Sequence, residues 1–171
     1  GDGDQRFQFS LAAAALEQQA DQLQLACDRY FRLAEMMPRH PRAAEAHRMA
    51  ILCAADLIRR AGDTAVRSKA EAHYTALLQN HLSIWPDSPT ANDARFWYGQ
   101  WLESQQAWQQ AIAAYQSVHP DCEHFPRAVY RVCDLFEKLL QAHHEQDFRT
   151  QRVQEATQFL QPLITGPEKT W

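Results

Sequence analysis

Glycine is nearly missing from the body of this chain. There are five among 171 residues, and Gly1, Gly3 and Gly166 lie near the ends, which leaves Gly62 and Gly99 inside. Tight β-hairpins and phosphate-cradling loops draw on glycine at positive φ. Sheet-rich folds and nucleotide-binding loops are therefore poorly served. Long apolar runs are missing too: the longest, Met49 to Ala55, falls far short of the ~20 residues of a membrane span. There is no excess of positive charge, since the formal net charge is −4. That disfavours a basic nucleic-acid binder. The four cysteines, Cys27, Cys53, Cys122 and Cys133, form no C-x-x-C, and a chain of this length can build a core without a disulfide framework. G-x-S-x-G, H-E-x-x-H and a glycine-rich phosphate loop are all absent. The expectation is a protein that is not an enzyme and carries no cofactor.

What is present points to helices. Apolar residues make up 46% of the chain, and Ala, Leu, Gln, Glu and Arg, all good helix formers, dominate it. Eight prolines punctuate the sequence. Helical spacing groups Ala94, Tyr98, Trp101 and Leu102 on one face, Ala70, Tyr74, Leu77 and Leu78 on another, and Val129, Val132, Cys133, Phe136 and Leu140 on a third. Eight helices in four antiparallel pairs are predicted: 7–21 with 23–37, 41–61 with 64–84, 89–104 with 107–118, and 126–144 with 146–164. The break in the second pair falls at Ala61-Gly62-Asp63.

Two stretches copy each other. Pro38-Arg-His-Pro41-Arg-Ala43-Ala-Glu-Ala46 and Pro86-Asp-Ser-Pro89-Thr-Ala91-Asn-Asp-Ala94 both read P-x-x-P-x-A-x-x-A. A third, from Pro120 through Pro126 to Ala128, carries three extra residues between its prolines. Copies 48 and 34 residues apart read as an internal repeat of roughly 40 residues. The first proline cannot continue the preceding helix. The second suits the first turn of the next one, with Ser88 as its cap.

The third pair resembles the tetratricopeptide repeat family. There a small residue in the first helix is followed twelve positions later by alanine and four further on by an aromatic. Gly99, Ala111 and Tyr115 stand at those places, and Ala14, Ala26 and Tyr30 repeat them in the first pair, which ends at Pro38. The family's first-helix tryptophan is replaced by Arg95 and by Ser10. The resemblance implies an all-α fold, an α-α superhelix of about four antiparallel hairpins over residues 7–165. Residues 1–6 are expected as a disordered or added N-terminus, and 166–171 as a tail leading into a larger protein. The resemblance also implies a non-catalytic scaffold whose concave surface, lined by first helices, binds a partner protein or peptide. Carried onto this sequence, that surface takes Asp93, Phe96, Gln100 and Glu103, and aligning Pro41 with Pro89 adds Glu45, Arg48 and Leu52. The asparagine clamp that some members use for C-terminal carboxylates is lacking, since Gln100 and Leu52 stand in its place. A rival reading makes the segment an internal spacer or assembly module of a larger protein, such as a bacterial envelope machine, with no free groove.

Two clusters are weighed against plainer readings. His119, Cys122 and His124 have zinc-ligand spacing, with His143 or His144 as a fourth. Yet His119-Pro-Asp-Cys122 occupies the place of Trp85-Pro-Asp-Ser88, so Cys122 reads as a replaced cap and no metal is expected. Between Arg29 and Arg60 seven arginines face three acids. An acidic peptide or phosphate would suit them, although solvated helix faces explain most such runs. The compartment is left open.

Overall fold

Consecutive helices joined by short links make up the protein. The computed structural model describes residues 2–166. In order the helices are α1 (Asp2–Gln19), α2 (Leu23–Met36), α3 (Ala43–Arg60), α4 (Thr64–Ile84), α5 (Ala91–Ser104), α6 (Trp108–Gln116), α7 (Phe125–Ala142) and α8 (Gln146–Thr165). Among the described residues there is no strand. The fold is all-α, and the packing of consecutive helices as hairpins is consistent with a superhelical repeat. Asp2 to Arg6, expected outside the helical region, form the first turns of α1. Pro167 to Trp171 of the expected tail lie outside the described residues.

The links repeat one hydrogen-bond pattern. His40 N donates to Met37 O and Ala43 N to His40 O; Ser88 N donates to Trp85 O and Ala91 N to Ser88 O. Cys122 N donates to His119 O and Phe125 N to Cys122 O. Pro38, Pro86 and Pro120 therefore share one position, and so do Ala46, Ala94 and Ala128. The three residues that seem extra in the third copy are not an insertion. Glu123 replaces the second proline, and Pro126 lies three residues further on, within the first turn of α7.

Within hairpins a second device recurs. After α1, Gln22 N reaches back to Glu17 O at 2.8 Å and Asp21 takes φ of 63°. After α5, Ala107 N reaches Leu102 O at 2.9 Å and Gln106 takes φ of 59°. These are Schellman-type ends that satisfy the last carbonyls of each first helix. The α3–α4 break is different: Asp63 caps α4 by accepting from Ala65 N at 2.8 Å and Val66 N at 3.0 Å.

The described chain divides within α5, between Ala94 and Arg95, into two compact units. In the first, Phe7, Leu11, Ala26, Tyr30, Ala50, Ile51, Leu77 and Leu78 are buried. In the second, Phe96, Leu102, Ile112, Tyr115, Phe125, Val132, Leu135 and Phe136 form the core, with Trp97, Tyr98 and Trp108 half-buried against it. The dense aromatics of α5 are thus mostly packing groups. Helix α8 has no fully buried residue and packs through half-buried Phe148, Ala156, Phe159 and Leu163.

Candidate functional site

The expected binding residues fall into both units. In the second, Phe96, Gln100 and Glu103 come together along α5. They line a groove of about 460 Å³ with Ser104, Tyr115 of α6, and Arg127 and Arg131 of α7. Gln100 is exposed. Phe96 is not: only 3% of it reaches solvent. Its ring stacks on His124 with centroids 4.7 Å apart, and the Arg127 guanidinium lies 5.3 Å from it. Phe96 is the floor of the groove and not a protruding anchor.

Glu103 organises the groove's polar end. Its carboxylate accepts from Arg131 Nε at 3.0 Å, from Lys138 Nζ at 3.3 Å and from the Tyr115 hydroxyl at 3.2 Å. A second bond from Arg131 makes that pair bidentate. Burial pushes the Glu103 carboxyl up, but Arg131 and Lys138 outweigh it and hold it below the ordinary glutamate range. Burial, helped by the Glu103 charge, pushes the Tyr115 phenol well above its usual value. Glu103 is thereby held as a carboxylate and Tyr115 as a neutral phenol, which fixes the charge pattern of this end of the groove.

In the first unit Glu45, Arg48 and Asp93 form an ion-pair cluster. Arg48 donates to Glu45 through Nε at 3.0 Å and Nη2 at 2.8 Å, and through Nη1 to Asp93 at 3.4 Å. The bond from Arg48 holds the Glu45 carboxyl low. Leu52, one turn beyond Arg48, is half-buried.

Beneath Arg48 lies a cluster that sequence spacing gave no reason to expect. His47 and His81 are fully buried, with their Nδ1 atoms 3.2 Å apart. Trp85 packs on both, and His81 Nε2 is 3.1 Å from the Thr90 hydroxyl. Burial drives both imidazoles to low pKa; the neighbouring His81 adds to this for His47, and Arg48 does so for His81.

The other clusters offer little chemistry. Among the described residues no group of three or more His, Cys, Asp or Glu is placed to hold a metal ion. His124 is committed to Phe96, and Cys122 Sγ accepts from His124 N at 3.5 Å. Cys27 lies 3.6 Å from His73 Nε2, a pairing sequence alone did not reveal. Burial nevertheless pushes the Cys27 thiol up to about 12, and its Sγ donates to Ala50 O at 3.4 Å. That is a packing cysteine and not a nucleophile.

Arg127 was missed for a traceable reason. In the register set by the links, Glu45, Asp93 and Arg127 are equivalent, as are Arg48, Phe96 and Tyr130. Treating the third link as three residues longer hides this. Tyr130 is 72% exposed.

The class that fold and site define is an all-α protein of consecutive helical hairpins. Compared with known proteins, the chain matches no family model and no curated sequence.

Proposed function

We propose that this chain is a non-catalytic interaction module of tetratricopeptide-like hairpins that holds a partner protein or peptide on the faces of its first helices. The observation that carries this reading is the α5–α7 groove. It gathers three of the expected residues around a buried aromatic floor, with exposed Gln100 and Arg127 at its rim. Apolar floor and oriented polar rim are what a peptide needs for both affinity and register. The exposed Tyr130 occupies the equivalent place on α7 and extends the same face. No described helix is long and apolar enough to cross a membrane.

The test is retention of proteins from a native lysate by the whole chain, identified by mass spectrometry and compared with Gln100→Arg and Arg127→Glu. Both changes fall on exposed side chains and leave the Phe96 floor in place. A saturable partner lost by both variants supports the reading. A partner retained equally by folded variants removes this groove from it. The spacer reading has one observation in its favour, the burial of Phe96. Retention of no partner by the folded chain would turn the choice to it.

A further inference from the structure

The link and turn registers make the four first helices comparable position by position. Ala43 and Ala46 of α3, Ala91 and Ala94 of α5, and Phe125 and Ala128 of α7 are all buried. The equivalent positions of α1, set by the matched turns at Asp21 and Gln106, are Arg6 and Phe9. Both are exposed, Phe9 at 74%. The position where each later helix is covered is open on α1. Apolar residues also go right round α1: Phe7, Leu11 and Ala14 are buried while Phe9 and Leu16 face water. A helix apolar on both faces is one that expects cover on both.

Phe9 stands beside a groove of about 730 Å³ between α1 and α2, with Leu25 and Met36 of α2 also exposed along it. Arg6, Arg29 and Arg32 line it too. Glu17 neutralises Arg29 at 2.5 Å. Arg6 and Arg32 make no ion pair among the described residues. The one carboxylate lining the groove, Asp28, accepts from the Gln24 amide at 3.0 Å. With Arg29 neutralised, Arg6 and Arg32 outnumber the Asp28 carboxylate, so the lining combines exposed apolar side chains with a small positive excess.

We propose that the α1–α2 groove docks an acidic amphipathic helix of a partner protein, with its apolar side on Phe9, Leu25 and Met36 and its carboxylates at Arg6 and Arg32. The surface lies outside the α5–α7 groove and the proposal stands without it. Three observations select this occupant. A further hairpin in the register used elsewhere in the chain meets alanine at the second position (Ala46, Ala94, Ala128), and here it would meet the ring of Phe9. A second copy of the chain, face to face about a two-fold axis, would gather two Arg6 and two Arg32 charges in one interface against only two Asp28 carboxylates. Leu25 and Met36 are separated by about 16 Å along α2, some three turns of an incoming helix whose anchors repeat at i, i+3, i+4 and i+7.

The experiment uses the whole chain and a fluorescein-labelled helical peptide of ~18 residues with leucine on one face and glutamate on the other. A matched peptide carries lysine for glutamate, and binding is read by anisotropy. Saturable binding of the glutamate peptide on the order of micromolar is expected, with the lysine peptide at least ~10-fold weaker. Arg6→Glu with Arg32→Glu reverses that preference, and Phe9→Ser with Met36→Ser abolishes binding. Arg127→Glu, in the other groove, binds the peptide as the parent chain does, so the two readings can fail separately. All these positions are exposed, and circular dichroism checks that each variant is folded. No saturation at roughly millimolar chain, equal binding of both peptides, or indifference to the groove variants overturns the proposal. A dimer in sedimentation that Met36→Ser dissolves also overturns it and assigns the face to a second copy.

Discussion

The two units bury their polar groups in opposite ways. Residues 2–94 hide a pair of neutral imidazoles, His47 and His81, against Trp85. Residues 95–166 hold a carboxylate, Glu103, kept ionised by Arg131 and Lys138. A buried base that must stay neutral opposes acid early. A paired carboxylate does so only near its own titration. Acid should therefore find the first unit before the second, although both are built from the same kind of hairpin.

The largest expected effect breaks the comparison from the histidine side. The folded pKa values are lowered from the ordinary 6.5 to about 3 for His47 and about 4 for His81. A lowered folded value means that the unfolded chain binds the proton first. The stability is complete above about pH 6.5 and drains away as pH falls toward the folded values. By pH 5 the loss is up to about 2 kcal/mol per histidine. Hydrogen exchange resolved by peptide should show α3 and α4 losing protection between pH 7 and 5 while α6 and α7 keep theirs. His47→Gln with His81→Gln should flatten that dependence. Equal acid sensitivity in both units, or an unaltered slope in the double variant, would remove the imidazoles as the cause.

A second comparison lies in the hairpin seams. Ala14, Ala26 and Tyr30 of the first hairpin correspond to Gly99, Ala111 and Tyr115 of the third. Each tyrosine hydroxyl bonds the residue twelve positions before it, Gln18 or Glu103, at 3.2 Å in both. The glycine is required: a Cβ on Gly99 would lie 2.6 Å from Tyr115 Cε1. Tyr115 is 1% exposed and has no room to retreat. Gly99→Ala should thus cost up to about 2 kcal/mol, the overpacking penalty less the roughly 1 kcal/mol alanine gains in a helix. Ala14→Gly should also destabilise, by about 1 kcal/mol, for the opposite reason of lost helix propensity. Urea titrations check both. Shortening the ring with Tyr115→Leu should rescue part of the Gly99→Ala loss, and strict additivity of the two changes would rule the clash out.

Much of this architecture was legible in the sequence because it rests on local rules. Proline positions, the break at Ala61-Gly62-Asp63 and the twelve-residue step from small residue to alanine gave the number and order of the eight helices and the matched seams. The site was legible only where it followed those rules. Asp93, Gln100 and Glu103 could be placed by register, but the burial of Phe96 depends on His124 and Arg127 arriving from the next helix. Arg127 itself was hidden by Pro126, whose displacement along the first turn of α7 mimics an insertion. The His47–His81 contact joins residues 34 positions apart on different helices, and no periodicity records it. Arg6 was expected outside the helical region and Phe9 at an ordinary helix position, and only the turns at Asp21 and Gln106 gave them counterparts.

The smallest expected effect sharpens the seam comparison at its polar end. Gln18 and Glu103 are the same position, yet only Glu103 gathers cations. Glu103→Gln removes the charge that holds Arg131 and Lys138. Their side chains are 40% and 46% exposed, so water screens most of the loss and about 1 kcal/mol is expected. The sign with pH follows from the lowered Glu103 pKa: the contribution is present above the ordinary glutamate value and disappears as pH falls through the folded one. Parent and variant should therefore differ at pH 7 and converge in acid, and high salt should narrow the gap. The reciprocal change, Gln18→Glu, should move stability by no more than about 0.5 kcal/mol, because it adds a carboxylate beside Glu17, which already satisfies Arg29. Matching losses in the two hairpins, independent of pH and salt, would mean that the tyrosine bond alone sets the energy of this position and that the Glu103 cations are incidental to it.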